Sequence, residues 1–290
     1  MRSKLFVPGT RQDLFLKVLS GAADAISYDL EDSVAEACKA QARQQLGDFL
    51  RGDAARSCGK TLIARVNPLG TPHFEADLLA VAQPGLSMLN LPRAESAADV
   101  LAAVAALERA EGRNGVAAPI TLLVNIETPK ALRNAAEIAC AHPRVVGLQL
   151  GLVDLFESLN MDRSDAASVH AAMFAVRMAA GEAGVFVVDA AFADIRDSDA
   201  FLAEARRARA MGYSGKSCIH PSQVPLANEV FRPSDEEIAF SKKVLDTLAQ
   251  ATPQRAGVFT VDGKMVDAPF IRRARRTLAA AQALGLTRDE

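Results

Sequence analysis

The chain has 290 residues, of which 50% are hydrophobic and 23% are charged. This composition is typical of a globular protein with a sizeable buried core, and it excludes a disordered, collagenous or disulfide-stapled chain. Because 33 Lys and Arg residues face 35 Asp and Glu residues, the net charge is −2, and no basic excess is present to bind the phosphates of a nucleic acid.

Eight short runs of aliphatic and β-branched residues, bounded by Gly, Pro, Asn or Asp, predict strands buried on both faces of a parallel sheet. In chain order these runs are Lys4–Val7, Ala25–Asp29, Thr61–Val66, Met88–Leu91, Ile120–Ile126, Val145–Leu150, Val185–Val188 and Gly215–Ile219. The segments between them have helical periodicity, most clearly Glu95–Glu111, Asp165–Gly181 and Asp199–Met211. Eight strands alternating with helices over about 220 residues predict a TIM (β/α)8 barrel in residues 1–225. A doubly wound sheet is the alternative, but the glycine-rich signatures of nucleotide sites are absent.

Residues 226–290 follow the predicted barrel and are expected to form an appendage of helices and a hairpin. Ser234–Ala249 begins with Ser-Asp-Glu-Glu, which combines an N-cap with an acidic first turn. Thr260–Asp267 predicts a hairpin that turns at Asp262-Gly263. Pro269–Leu284 predicts a last helix with an arginine-rich face.

Cysteine spacing and hydropathy exclude several further classes of protein. The four cysteines form no C-x-x-C pair, which argues against a structural zinc site and fits a reducing compartment. The apolar stretch near the amino terminus is too short for a signal peptide. No run approaches the roughly 20 apolar residues of a membrane helix. We therefore expect a cytoplasmic protein with no membrane partner.

Polar side chains follow the predicted strands at the edge where a β/α barrel carries its chemistry. The acidic residues at this edge are Asp29, Glu31, Asp32, Glu127, Asp154 and Asp189. Carboxylates that converge in one mouth repel each other unless a cation lies among them. Oxygen ligands without cysteines or clustered histidines favour Mg²⁺ or Mn²⁺, and Glu127 and Asp154 follow adjacent strands. The sequence therefore predicts a divalent metal site that contains this pair.

Each of these residues also has a purely structural interpretation. The acidic residues of segment 29–32 could cap the following helix or pair with Arg65, whose charge at the end of a buried strand needs partners. Glu127 and Asp154 could be helix caps. A structural role is favoured over a catalytic one for His220, and Cys218 is expected to be a small core residue.

Seven short motifs occur in order along the chain. They are Arg-Ser-Lys-Leu-Phe-Val-Pro-Gly (2–9), Asp-Leu-Glu-Asp (29–32), Arg-Val-Asn (65–67), Glu-Thr-Pro (127–129), Gly-Leu-Val-Asp (151–154), Gly-Lys-Ser-Cys-Ile-His-Pro-Ser-Gln (215–223) and Asp-Gly-Lys-Met-Val-Asp-Ala-Pro (262–269). Together they resemble the citrate lyase β-subunit-like family of the HpcH/HpaI aldolase superfamily, which includes malyl-CoA and citramalyl-CoA lyases. The resemblance covers nearly the whole chain, and its specificity comes from seven motifs in order with barrel spacing.

The resemblance implies a TIM barrel that depends on Mg²⁺, with Mn²⁺ as an alternative ion, and that acts on a CoA thioester. Glu127 and Asp154 would be the metal ligands. Arg65 would bind the substrate and stabilise an enolate, and Asp267 would be an acid–base residue supplied by the adjacent chain. The family also implies a homotrimer or hexamer with shared active sites, in which residues 226–290 form a lid on a neighbouring subunit.

The matched motifs also imply further catalytic and substrate-binding positions. Glu31 and Asp32 are expected in the catalytic group beside Arg65. The other positions expected to contact the substrate or to lie near its CoA end are Arg2, Lys4, Pro8, Gly9, Glu127, Gly151, Leu152 and Val153. Substrate specificity is expected to depend on Leu152, Val153 and Phe192.

One motif departs from the family pattern. Citrate lyase β subunits usually have Gly-Ala-Glu-Asp where this chain has Gly-Leu-Val-Asp at 151–154, so Asp154 is kept while Val153 replaces an acidic residue. This difference favours a stand-alone acyl-CoA lyase over a lyase that acts on citryl–acyl-carrier protein. We therefore expect reversible retro-Claisen cleavage of citramalyl-CoA or malyl-CoA to an acyl-CoA and a 2-oxo acid.

Three alternatives remain open. The chain could be the β subunit of citrate lyase with an acyl-carrier protein as partner, or an HpaI-type aldolase that acts on free pyruvate. It could also be a non-catalytic paralogue that serves as a binding or assembly subunit. Dependence of turnover on CoA, co-purification with an acyl-carrier protein, and titration with Mg²⁺ distinguish these functions.

Overall fold

The computed structural model describes residues 1–250 and 257–287, and the chain divides into two units, Met1–Phe231 and Arg232–Glu290. The first unit is a closed barrel of eight parallel strands, in which each strand pairs with the next and the last pairs with the first. The strands are β1 Ser3–Pro8, β2 Ala25–Asp29, β3 Thr61–Arg65, β4 Met88–Leu91, β5 Thr121–Ile126, β6 Val145–Leu150, β7 Phe186–Asp189 and β8 Gly215–Cys218. The predicted TIM barrel is confirmed, every strand lies within one residue of its prediction, and the doubly wound alternative is wrong.

Helices connect the strands, and the three that the periodicity predicts most clearly are confirmed. Ser96 caps one of them by accepting a hydrogen bond from the Asp99 amide, and Asp165 caps another through the Ser168 amide. The helices of the first unit are α1 Gln12–Phe15, α2 Lys39–Arg51, α3 Asp53–Ser57, α4 Phe74–Val81, α5 Ala97–Asn114, α6 Pro129–Arg133, α7 Ala135–Cys140, α8 Leu152–Glu157, α9 Ala166–Ala183, α10 Ser198–Ala210 and α11 Gln223–Phe231. Within the residues that the structure describes, no helix is both long and apolar enough to cross a membrane.

The side chains inside the barrel change from apolar to polar along its axis. Met88 of β4 and Leu123 of β5 belong to a small apolar cluster with Ala25 and Ile63. Two residues further along the same strands, and therefore on the same face, buried asparagines replace the apolar side chains. The floor of the barrel is thus hydrophobic, and its polar residues lie towards the carboxyl ends of the strands.

The second unit contains α12 Asp235–Gln250, β9 Phe259–Val261, β10 Lys264–Val266 and α13 Ala268–Ala283. The start of α12 is a capping box, in which Ser234 and Glu237 each accept a hydrogen bond from the other's amide. Strands β9 and β10 pair antiparallel around Asp262 and Gly263, whose φ angles are 48° and 75°. The predicted hairpin and both predicted helices are confirmed. A small core holds this unit together, formed by Val244, Val261, Val266 and Ala274.

The division between the two units lies after Phe231, whereas the sequence places it after residue 225. The difference arises because α11 packs against β1, β8 and α10 of the barrel. The function of residues 226–290 as a lid on a neighbouring subunit stays a prediction.

An ion pair joins the amino-terminal ends of β1 and β2. The Arg2 guanidinium donates to both carboxylate oxygens of Asp24, at 2.7 and 3.0 Å, and the Arg2 amide donates at 2.7 Å. Burial alone would raise the pKa of Asp24, but the hydrogen bonds and the charge of Arg2 outweigh it and hold that pKa below 3.8. A carboxyl group whose pKa is lower in the folded chain stabilises the fold above its unfolded pKa, and this contribution is lost as the pH falls through the folded pKa.

We therefore expect Asp24→Asn to lower the free energy of unfolding by about 1 kcal/mol at neutral pH and by progressively less in acid. Urea unfolding followed by circular dichroism, repeated from neutral pH down to about pH 3, measures this difference. Asp48→Asn is the matched control, because the Asp48–Arg51 pair is exposed and contributes little. The expectation would be contradicted if Asp24→Asn lowered the free energy of unfolding equally at every pH, or if both variants lowered it equally.

Candidate active site

A cavity of about 420 Å³ lies at the carboxyl ends of the strands. Asp29 and Arg65 end β2 and β3, Glu127 follows β5, and Asp154 lies in the first turn of α8. All four side chains line the cavity. The structure thus brings together these three acidic residues and the arginine, all of which the sequence predicted at this edge of the barrel.

Arg65 is the centre of the charged cluster. Its Nε and Nη2 donate to the two oxygens of Asp29 at 2.7 and 2.8 Å. Its Nη1 lies 3.0 Å from Glu31 Oε2 and 3.2 Å from Asp32 Oδ2. Three carboxylates therefore fix one guanidinium, which remains part of the cavity wall. The structural pairing considered for Arg65 is real, and it also orients the side chain towards the cavity.

The loop after β2 is held by its own backbone and by a buried lysine. Asp29 accepts hydrogen bonds from the amides of Glu31 and Ser33 at 3.0 and 3.1 Å. Lys39 Nζ donates to the carbonyls of Leu30 and Glu31 and to Asn67 Oδ1, at 3.0, 2.9 and 2.7 Å. Lys39, which was not predicted from the sequence, fixes the loop that presents the carboxylates to Arg65.

The carboxyl groups around Arg65 differ in pKa. Burial would raise the pKa of Asp29, but the hydrogen bonds and the charge of Arg65 outweigh it, so this pKa is lowered. Burial raises the pKa of Glu31 to about 8, since the opposing charge of Arg65 does not offset burial and the nearby charges of Asp32 and Glu127. One guanidinium therefore does not neutralise all the acidic groups around it.

Glu127 is oriented by two donors. Its Oε1 accepts from the Arg93 amide at 2.8 Å and its Oε2 from Asn125 Nδ2 at 2.9 Å. Arg93 has a φ of 53°, a left-handed conformation that is uncommon outside glycine and costs free energy. Because a carboxylate oxygen has more than one lone pair, both oxygens keep the capacity to bind a further ligand.

Glu127 and Asp154 fit a hard divalent cation. Burial raises the pKa of Glu127, and the charge of Asp154 raises it further, so a cation beside the pair would relieve their repulsion. In residues 1–250 and 257–287, no group of three or more His, Cys, Asp or Glu residues is arranged to hold a metal. Mg²⁺ commonly binds through one or two carboxylates and completes its shell with water and substrate. The arrangement suits such an ion.

Gly151 provides the space that Glu127 occupies. A Cβ atom at position 151 would lie 2.4 Å from Glu127 Cβ and 2.7 Å from Glu127 Oε2. These distances are far below van der Waals contact, so only glycine leaves the carboxylate in place. Gly151 therefore contributes to the site by lacking a side chain.

The other motif residues divide between the cavity wall and its support. Pro8, Leu152 and Val153 line the cavity, together with Phe6. Gly9 is buried behind the wall, and its amide donates to the Asp29 carbonyl at 2.8 Å. A Cβ at Gly9 would lie 2.7 Å from that carbonyl oxygen, so this glycine permits the close approach of β1 and β2.

Two residues of the first motif, Arg2 and Lys4, do not line the cavity. Arg2 precedes β1 at the amino-terminal end of the barrel, opposite the cavity, and is paired with Asp24. Lys4 is fully buried inside the barrel, and burial together with the charge of Arg65 holds its pKa well below 10.5. Neither side chain lines the cavity, and the expectation that both lie near a CoA group stays a prediction.

Asp189, Phe192 and His220 also lie away from the cavity wall. Asp189 is buried and accepts a hydrogen bond from Lys216 Nζ at 2.7 Å, so it forms an internal ion pair. Phe192 packs edge-on against Phe201. His220 bonds to the hydroxyl group of a nearby serine, which agrees with the favoured structural role. Cys218 is buried in the core as expected.

Asp267 belongs to the second unit and immediately precedes α13. Its Oδ1 is buried, and among the residues that the structure describes no hydrogen-bond partner reaches it. A buried carboxylate oxygen without a partner is costly and is characteristic of groups with a functional role. Its catalytic role stays a prediction.

Three buried amides in the barrel were not identified from the sequence. Asn90 and Asn125 follow the apolar cluster on β4 and β5, and Gln149 occupies the corresponding place on β6. Asn125 and Gln149 line the cavity. A signal was present, because each interrupts an otherwise apolar strand, and a buried polar group requires a partner.

Comparison with known proteins shows the family to which the chain belongs. A model of the HpcH/HpaI aldolase/citrate lyase family matches residues 2–221. An L-malyl-CoA/beta-methylmalyl-CoA lyase of Cereibacter sphaeroides is 35% identical, covering 97% of this chain and 94% of the relative. A (3S)-malyl-CoA thioesterase of the same species is 37% identical, covering 99% and 96%. The citrate lyase subunit beta of Haemophilus influenzae is 33% identical, covering 97% of both chains.

Solved structures give the same result. The crystal structure of protein CitE from Mycobacterium tuberculosis in complex with magnesium, acetoacetate and coenzyme A superposes with a TM-score of 0.77. Its sequence is 33% identical, and the match covers 97% of this chain and 100% of the other. The similarity therefore includes both the sequence and the fold over nearly the whole length.

We expect Gly151→Ala to lower the free energy of unfolding by about 1–3 kcal/mol, because the added methyl group must displace Glu127 or the backbone. Chemical unfolding of the purified variant measures the change. Gly112→Ala in α5 is the matched control, since its methyl group would meet no atom within 4 Å and should stabilise the helix by about 0.5–1 kcal/mol. A neutral or stabilising effect at position 151 would show that Glu127 is not confined as described.

Proposed function

The chain belongs to the HpcH/HpaI aldolase/citrate lyase family, and from this premise we propose that it is a Mg²⁺-dependent carbon–carbon lyase. Its proposed substrate is a 3-hydroxyacyl-CoA thioester of the malyl-CoA or citramalyl-CoA type, cleaved reversibly to an acyl-CoA and a 2-oxo acid. The observation that carries the proposal is that Glu127, Asp154 and Arg65 line one cavity at the mouth of the barrel.

Two comparisons support the choice of a CoA thioester and a metal. Relatives at about one-third identity have names that specify malyl-CoA as the substrate, and the similar CitE structure holds magnesium and coenzyme A. In this chain Val153 replaces the acidic residue of citrate lyase β subunits and lines the cavity. This favours a free acyl-CoA over a thioester on an acyl-carrier protein. A substrate that carries CoA in turn favours a cytoplasmic location.

Glu127 and Asp154 are the residues that would hold Mg²⁺, or Mn²⁺ in its place. The bound ion supplies Lewis acidity, which lowers the pKa of the substrate hydroxyl and stabilises the carbonyl of the 2-oxo acid. The protein's contribution is to keep both carboxylates in the cavity wall. Arg93 and Asn125 do this for Glu127 through the hydrogen bonds that its two oxygens accept.

Arg65 is proposed to stabilise the negative charge that the reaction generates. When the substrate hydroxyl loses its proton to water and the C2–C3 bond breaks, the electron pair of that bond moves into the thioester and forms an enolate. Fixed donors aimed at such an oxyanion are commonly the largest contribution to catalysis. The contacts to Asp29, Glu31 and Asp32 leave one N–H of Arg65 Nη2 unused. Glu31 and Asp32 are thus positioning residues that act through Arg65.

The enolate carbon must then receive a proton to yield the acyl-CoA, and Asp267 is proposed to supply it from an adjacent subunit. Its buried Oδ1 lacks a partner among the described residues of its own chain, which supports a partner from elsewhere. In the reverse direction the same carboxylate would remove the proton from the acyl-CoA. This assignment requires a homo-oligomer, which we propose to be a trimer or hexamer with shared active sites.

A panel of malyl-, citramalyl- and citryl-thioesters, assayed with Mg²⁺ and with EDTA, tests the proposed reaction. We expect acetyl-CoA and glyoxylate or pyruvate as products, loss of turnover in EDTA, and little cleavage of citryl–acyl-carrier protein. Chromatographic identification of the products is the measurement. Release of free CoA together with malate would instead indicate thioester hydrolysis, and turnover of free hydroxy acids without CoA would indicate an aldolase.

Complementation tests the shared active site. We expect Arg65→Lys and Asp267→Asn each to lower kcat by about 100-fold or more, because one removes oxyanion donors and the other the proton donor. Co-assembly of the two variants should restore activity, since some sites then combine Arg65 of one chain with Asp267 of another. The control is co-assembly of the Arg65→Lys and Glu127→Gln variants. Because both changes lie in the barrel, activity should not be restored in this mixture. Equal activity in the two mixtures would contradict a shared site.

A further inference from the structure

A lysine lies at the centre of the barrel, below the cavity. Lys4 is 0% exposed, and its Nζ lies 4.0 Å from the centroid of the Phe6 ring. Among the described residues its ammonium group donates hydrogen bonds to two side-chain amides, to Asn90 Oδ1 at 3.3 Å and to Gln149 Oε1. Burying an amine is costly, and in residues 1–250 and 257–287 no carboxylate pairs directly with this one.

One chain of hydrogen bonds leads from Lys4 to Glu127. Asn90 accepts from Lys4 through Oδ1 and donates from Nδ2 to Asn125 Oδ1 at 2.7 Å. Asn125 in turn donates from Nδ2 to Glu127 Oε2 at 2.9 Å. Four side chains from β1, β4, β5 and the loop after β5 are therefore connected through the interior of the barrel.

The direction of this chain is set at its lysine end. A lysine amine presents N–H groups, so the amide oxygen of Asn90 faces it and the amide nitrogen faces Asn125. Asn90 Nδ2 also donates to the Leu123 carbonyl at 3.1 Å, which is an acceptor only and fixes the same orientation. Asn125 is then constrained to accept from Asn90 and to donate to Glu127. The reversed amide would point an oxygen at the carboxylate and repel it.

The second branch from Lys4 orders a group in the cavity wall. Gln149 Oε1 accepts from Lys4 and, at 3.4 Å, from Ser217 Oγ. Since the oxygen faces the interior, Nε2 is left as the donor on the other side, and Gln149 lines the cavity. Both branches therefore turn an N–H group towards the site.

We propose that Lys4 is a positioning residue, which fixes the orientation of Asn90 and Asn125 so that a donor always holds the Glu127 carboxylate in place. This inference rests on the proposed role of Glu127 as a metal ligand. Partners that orient a ligand from behind commonly change metal affinity 10- to 100-fold. Lys4 thus influences the metal site although its own side chain does not line the cavity.

Two variants interrupt this series of hydrogen bonds at different points. The measurement is the dissociation constant of Mg²⁺, obtained by titration calorimetry without substrate. We expect Asn125→Leu and Lys4→Met each to weaken Mg²⁺ binding by about 10- to 100-fold. Ser217→Ala is the matched control, because Ser217 pairs with Lys4 in the strand register but bonds only to the Gln149 branch. Its Mg²⁺ affinity should stay within about twofold of the wild type. Thermal unfolding in EDTA reports the integrity of each fold.

Asn125→Leu decides the question if Lys4→Met does not fold, because Asn90 keeps its bonds to Lys4 and Leu123 in that variant. A folded Asn125→Leu protein with wild-type affinity would overturn the inference, as would an equal loss in Ser217→Ala. If the wild type binds Mg²⁺ but cleaves no thioester, the proposed function is wrong. The role of Lys4 is then still tested by the Mg²⁺ affinities of the variants. If the wild type binds no Mg²⁺, both are wrong.

Discussion

One guanidinium, that of Arg65, holds the charged mouth of the barrel together. Asp29, Glu31 and Asp32 converge on it from a single loop, and without it three carboxylates would face each other in a largely buried space. Breaking such a buried network leaves charges without partners, at a cost of several kcal/mol. Arg93 Nε lies a further 3.7 Å from Glu31 Oε1. Even so, burial and neighbouring carboxylates raise the pKa values of Glu31 and Glu127. We propose that a divalent cation beside Glu127 and Asp154 relieves this repulsion.

The side chains inside the barrel form layers along its axis, and these layers hold the cavity residues in place. An apolar floor formed by Ala25, Ile63, Met88 and Leu123 excludes water from the amino-terminal end. Above it lies a layer of buried amides and one lysine, whose hydrogen bonds all run between side chains or to strand carbonyls. The carboxylates follow at the carboxyl ends of the strands. Each layer restricts the rotamers of the next, so that Glu127 reaches the cavity with both oxygens already bonded to donors. Such preorganisation reduces the rearrangement that a ligand or transition state would require.

The sequence predicts the barrel well because its signals are local. Apolar runs bounded by turn residues mark all eight strands, and the acidic residues that follow them gather at one edge because parallel strands end together. A motif does not show where each of its side chains lies. Within segment 2–9, Arg2 lies at the amino-terminal end of β1, and Lys4 points into the barrel interior. The Asn90–Asn125 hydrogen bond depends on which strands are neighbours, which no single strand's sequence shows. Asp267 Oδ1 has no hydrogen-bond partner among the described residues, so its role stays a prediction.

The central claim is that Glu127 and Asp154 together bind a divalent cation in the mouth of the barrel. Anomalous diffraction from crystals grown with Mn²⁺ tests it most directly, because the signal locates the ion independently of any assay. We predict one strong peak bound by both carboxylates in the wild type, and its loss in crystals of Asp154→Asn. A peak at other residues, or a peak in the cavity that survives in Asp154→Asn, would contradict the claim.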